Sequence, residues 1–131
     1  MQIKITYNKK MDHAIKLKNI SQKINIFIKK NLKPKDKNIE LGIHFISQKN
    51  MQTLNFKHRK IDKPTDVLSF PIYPNLKKSQ FVTDQNVNLG DMFICVKVAE
   101  NQARQNKIST NKEIETLVLH GLKHLVGIHH K

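Results

Sequence analysis

The period of the apolar residues changes twice within the first 46 positions, and this restricts the chain to a layered fold. Ile3, Ile5 and Tyr7 alternate with polar residues, which predicts a short strand over 2–7. Ile20, Ile24, Phe27, Ile28 and Leu32 then recur at three- and four-residue intervals, with lysines on the other side. That is one helical stripe, and it predicts a helix over 13–31, with Pro34 just beyond its end. Ile39, Leu41, Ile43 and Phe45 return to strict alternation, the pattern of a strand over 39–46. A one-sided helix and a one-sided strand bury their apolar faces against each other.

The remaining elements follow from local signals. A short helix is expected at 48–56, with Ser47 as its N-cap. Residues 57–64 read as a basic connection. Residues 65–70 read as a strand ending at Pro71, and residues 71–88 as irregular. The run Leu89-Gly90-Asp91-Met92-Phe93-Ile94-Cys95-Val96 reads as a buried strand, followed by a polar helix at 97–107. Thr110 and Glu113 have capping-box spacing and open the last helix. Its stripe is Ile114, Leu117, Val118, Gly121 and Leu125, and Gly127 stands where a left-handed C-terminal cap belongs. The order predicts an α+β (mixed α/β) single domain over 1–131. Its core is a small mixed sheet of about four strands packed with helices.

Bulk properties narrow the function classes. A chain of 131 residues buries about two thirds of its unfolded surface and can fold without staples. The single cysteine, Cys95, excludes an intrachain disulfide and a cysteine-based zinc site, and is expected to be a buried strand residue. No apolar run approaches the roughly 20 residues of a membrane span, and the start lacks the apolar core of a signal peptide. The expectation is a cytoplasmic protein with no membrane partner and no small organic cofactor. The net charge is +14, from 24 Lys and Arg against 10 Asp and Glu. An A/T-rich genome would enrich lysine, but it does not explain the scarcity of acids. Such a charge favours a polyanionic partner, because each phosphate contact releases condensed counterions.

The segment His120-Gly121-Leu122-Lys123-His124-Leu125-Val126-Gly127-Ile128-His129-His130 carries the chemistry. His120 and His124 are four apart on a predicted helix, so they project from one face and can share a metal. Gly127 lets the chain turn, so that His130 can fold back as a third ligand. His129 is the competing choice, and the spacing favours His130. Three histidines leave a fourth tetrahedral position for water, the pattern of catalytic zinc. The same spacing occurs in metzincin proteases, where a glutamate follows the first histidine as general base. Here that position is Gly121, so the peptidase base is missing. Phosphodiester cleavage needs an activated water and positive charge on the phosphorane. Arg59, within Lys57-His58-Arg59-Lys60, is the candidate for the second, since a guanidinium matches phosphate oxygens bidentately. His58 and His129 are candidates for the general acid.

Three blocks together resemble the YbeY family of bacterial zinc-dependent endoribonucleases. They are Leu54-Asn55…Arg59…Pro64-Thr65-Asp66-Val67-Leu68-Ser69-Phe70-Pro71, then Leu89-Gly90-Asp91-Met92-Phe93-Ile94-Cys95, then His120 to His130. The resemblance implies a zinc held by His120, His124 and His130 and a functional Arg59. It also implies a single-strand-directed endoribonuclease that processes the 3′ end of small-subunit ribosomal RNA and acts in ribosome quality control, with RNA and the ribosome as partners. Thr65, Asp66 and Ser69 fall in the signature strand and read as mainly structural. Asp91 is either a second-shell partner of a ligand histidine or a backbone anchor. The chain departs from the family pattern at Lys123, Ile128 and His129, and it stops at Lys131 where relatives commonly run on. Two other function classes stay open: a non-catalytic RNA- or ribosome-binding factor with structural zinc, and a metallopeptidase.

Overall fold

A computed structural model describes residues 2–8, 15–32, 37–74 and 86–128. Eight elements follow in order: β1 (Gln2–Tyr7), α1 (Leu17–Asn31), β2 (Asn38–Ile46), α2 (Gln48–Arg59), β3 (Val67–Pro71), β4 (Asn86–Cys95), α3 (Val96–Asn106) and α4 (Thr110–Leu125). The strands form one sheet in the order β1-β2-β4-β3. β1, β2 and β4 are parallel, and β3 is the antiparallel edge. The expected α+β class and mixed four-stranded sheet are therefore what the chain adopts.

One face of the sheet carries the main core. Ile39, Leu41, Ile43 and Phe45 of β2 and Val87, Leu89, Met92 and Ile94 of β4 pack with Ile20, Ile24 and Ile28 of α1. Ile114, Leu117, Val118, Leu122 and Leu125 of α4 complete it. The other face holds a smaller cluster, Met51 of α2 with Leu68 and Cys95, flanked by Leu54, Phe70 and Phe93. Burial pushes the Cys95 thiol above its ordinary pKa, as expected of a packed cysteine.

β4 switches faces at a bulge. Glu40 pairs with Asn88 but Gly42 pairs with Asp91, so β4 holds one extra residue there. Gly90 takes φ 118°, and a Cβ on it would lie 2.2 Å from the Phe70 carbonyl oxygen. Only glycine fits that conformation and that approach. The shift turns Met92 and Ile94 into the α4 side and leaves Asp91 and Phe93 on the other.

Several boundaries differ from the sequence expectation. α1 starts at Leu17 rather than 13, because Lys16 is extended and its N–H donates to Asn111 Oδ1 at 2.7 Å; residues 13 and 14 lie outside the described residues. α2 runs through Lys57-His58-Arg59 and ends on Lys60 at φ 62°, so the basic stretch is partly helix. Its Ser47 cap is as expected, accepting from the Asn50 N–H at 3.1 Å. β3 begins at Val67 and takes in Pro71, and α3 begins at Val96 and stops at Asn106. β4 begins at Asn86, within the stretch expected to be irregular, because Asn86 and Val87 pair with Asn38 and Ile39. The cap of α4 is Ser109, not Thr110: Ser109 Oγ accepts from the Lys112 N–H at 3.1 Å.

Candidate functional site

α4 packs against β3 and β4, and it comes close to both at Gly121. A Cβ there would meet Ser69 Oγ at 3.0 Å and Met92 Sδ at 3.1 Å. Ser69 Oγ donates to the Gly121 carbonyl at 3.3 Å, which ties β3 to the helix at this level. Position 121 therefore faces packed strand. A glutamate placed there, as in a metzincin, would have to displace Ser69 or Met92.

The close approach sets His120 and His124 beside β3. Their ring centroids are 4.9 Å apart and inclined by 72°. His120 is exposed and His124 half-buried. His124 stands in the last turn of α4, where the helix dipole favours a cation. The helix ends in a Schellman turn: Gly127, at φ 83°, donates to the His124 carbonyl at 3.2 Å and Ile128 to that of Lys123 at 2.8 Å. The chain thus leaves the helix axis directly after the pair. His130, His129 and the terminal carboxylate lie outside the described residues. Among the described residues no three His, Cys, Asp or Glu side chains are placed to hold one metal ion. Two imidazoles on one helix face can share a metal ion.

The histidine pair opens onto a cavity of about 480 Å³ whose other wall holds Arg59, Thr65, Asp66 and Ser69. Arg59 is exposed at the end of α2 and forms no ion pair among the described residues. Lys57, Lys60 and Lys63 lie on the same stretch of chain as Arg59. Asp66 is held by its surroundings. Its Oδ1 accepts from the Val67 N–H at 2.7 Å and from the Thr65 hydroxyl at 3.4 Å. Its Oδ2 accepts from Gln102 at 3.4 Å, and its carbonyl from the Cys95 N–H at 2.9 Å. Thr65, Asp66 and Ser69 thus pair strand-edge groups, as expected, and also line the cavity.

Two candidates fall elsewhere. His58 packs edge-on to Phe70, with centroids 4.8 Å apart, on the side of β3 away from Ser69. It does not line the cavity. Asp91 bonds His44 Nε2 at 2.9 Å on the sheet face opposite α4, so it is not second shell to His120 or His124. The bulge at Gly90 is the reason, and simple alternation along the strand conceals it. Asn55, buried on the inner side of α2, was singled out by no periodicity or spacing; its signals were its place in the first of the three blocks and its polar side chain on the buried side of the helix.

Residues 3–131 match the family model described as YbeY, Endoribonuclease YbeY. The Dehalococcoides mccartyi Endoribonuclease YbeY is 41% identical over 102 residues, covering 72% of this chain and 59% of that protein. The Caldicellulosiruptor saccharolyticus protein of the same name is 34% identical over 99 residues, covering 72% and 63%. That of Lactobacillus acidophilus is 30% identical over 137 residues, covering 98% and 78%. The chain spans about three fifths of the length of the first two. The solution structure of TM1509 from Thermotoga maritima has a similar fold, with TM-score 0.61 and 26% identity over 99% of this chain and 75% of that one.

Proposed function

The chain belongs to the YbeY endoribonuclease family, and from that membership we propose that it is a zinc-dependent, single-strand-directed endoribonuclease of ribosomal RNA. One observation carries the proposal. Arg59 from α2 and the pair His120 and His124 from α4 face the same cavity, although Arg59 and His120 are 61 positions apart in the chain.

His120, His124 and His130 would hold the zinc, which would supply the Lewis acidity that makes water a nucleophile near neutral pH. The protein's own groups do the rest. Arg59 binds the scissile phosphate through two parallel N–H donors and stabilises the charge that grows on it. Lys57, Lys60 and Lys63, on the same stretch of chain as Arg59, draw the strand in through their charge. The Ser69 contact holds α4 at a fixed depth, so the imidazoles and the guanidinium keep their spacing. The absence of a general base at Gly121, and the lack of room for one, argue against peptide hydrolysis. The cellular role proposed is maturation of the 3′ end of small-subunit ribosomal RNA and ribosome quality control in the cytoplasm.

Elemental analysis and single-stranded RNA cleavage on the same preparations test this. His124→Ala is expected to lose zinc and turnover together. Arg59→Ala is expected to keep zinc and lose turnover by about 10²- to 10³-fold, the scale of one lost transition-state donor. Full turnover in metal-free His124→Ala protein overturns the catalytic zinc. Zinc and RNA binding without turnover in the unaltered protein favours a non-catalytic binding factor.

A further inference from the structure

We infer that Asn55 is a positioning residue that clamps the wall of the cavity carrying Arg59, Thr65 and Asp66; the inference rests on the endoribonuclease reading above. Asn55 is 1% exposed, on the buried side of α2. Its Nδ2 donates to the Lys63 carbonyl at 2.8 Å. Its Oδ1 is buried and has no partner among the described residues. A buried oxygen left unpaired costs about 1–3 kcal/mol. A leucine of similar size would remove that cost, so packing alone does not account for an asparagine here.

What the amide does is join the two parts of the cavity wall. Asn55 is one helical turn before Arg59, on the same helix. The chain turns sharply after Arg59, with Lys60 at φ 62° and its N–H on the Phe56 carbonyl at 3.0 Å. It then doubles back so that Lys63 meets Asn55, and Pro64 delivers Thr65 and Asp66 to the cavity. The other side-chain clip between α2 and this connection is exposed: Gln52 Nε2 donates to Asp62 Oδ1 at 3.0 Å. A water-exposed bond of that kind competes with solvent, whereas the Asn55 bond is sheltered. Asn55 therefore fixes the end of α2 relative to the approach to β3, and with it the distance from Arg59 to the histidine pair. Misplacing a phosphate-binding group by about 1 Å can cost on the order of 10²-fold in rate.

The test compares Asn55→Leu, Asn55→Asp, Gln52→Ala and Arg59→Ala, alone and with Asn55→Leu and Arg59→Ala combined. Melting, amide hydrogen exchange and RNA cleavage are read on each, at temperatures well below melting. Asn55→Leu is expected to stay folded, to exchange faster across residues 60–66, and to lose about 10- to 100-fold in kcat with little change in KM. The double variant is expected to be no slower than Arg59→Ala alone, because both act through the guanidinium. Gln52→Ala is expected to cut RNA normally. Asn55→Asp keeps the shape but removes the donor, and is expected to reproduce the kcat loss if Asn55→Leu fails to fold. Unchanged exchange at 60–66, or full kcat in folded Asn55 variants while Arg59→Ala is inactive, overturns the clamp. Normal turnover in Arg59→Ala instead overturns the role of Arg59, and the clamp's catalytic purpose with it.

Discussion

At the scale of single residues, Gly121 decides more than its size suggests. In sequence it is the position where a metallopeptidase would carry its base. In the fold it is the point where α4 touches β3 and β4, with Ser69 and Met92 within 3.0–3.3 Å of where a Cβ would lie. Restoring the peptidase residue by Gly121→Glu is therefore expected to overpack the interface and destabilise the protein by about 1–3 kcal/mol or more. The denaturant midpoint measures this, and an unchanged midpoint would show that the helix can ride off the sheet at no cost. The histidine pair could be picked out in the sequence by its helical spacing and Arg59 as the guanidinium within a basic run, and the structure brings them to one cavity. Asn55 stood in the first of the three blocks, but its contact with the Lys63 carbonyl could not be read there, because it depends on a loop that returns to it eight residues later.

At the scale of elements, α4 is the site's main support, and its two ends are built differently. Its N-terminus is capped by Ser109, packed closely after the left-handed Lys107 that ends α3. The competing Thr110–Glu113 box has the right spacing but begins one residue late, and Glu113 is buried. Ser109→Ala is expected to cost about 1 kcal/mol while Thr110→Ala costs a few tenths, which thermal unfolding separates. Equal losses would mean the helix starts at Thr110 after all. At the other end, Gly127 in its Schellman turn was legible from sequence, since glycine beyond a helical stripe has few other readings. α2 shows the opposite case. Nothing in Lys57-His58-Arg59 forbids helix, and the stop comes from Lys60 taking up a left-handed conformation that its side chain does not advertise.

At the scale of the whole molecule, the charge of +14 and the one-sided core set the terms of binding. The proposed RNA contact is expected to weaken steeply with salt, as counterions released by each neutralised phosphate are recaptured. For single strands the slope of log affinity against log salt is about −0.7 per phosphate contact. Affinity measured across a salt series should give a slope equivalent to several contacts. A flat response would mean that the lysines are a solvated surface and that RNA is held by other means. The sheet's second face is covered by α2 only at β3 and the end of β4, leaving Lys4, Thr6, Glu40 and Asn88 exposed, and it is there that His44 and Asp91 pair.

By itself, the sequence determined the periodicities, hence which elements form and which faces they bury. It also determined the rare side chains that can bind metal and phosphate, and enough blocks in series to mark the family. These are local properties, carried by spacing along one segment. The tertiary structure alone decided which side of the sheet each strand residue faces after the Gly90 bulge, and so removed Asp91 from the site. It alone placed Arg59 opposite His120 and His124 and turned His58 onto Phe70. Those outcomes depend on register and on contacts between distant segments, and no pattern within a single segment encodes them.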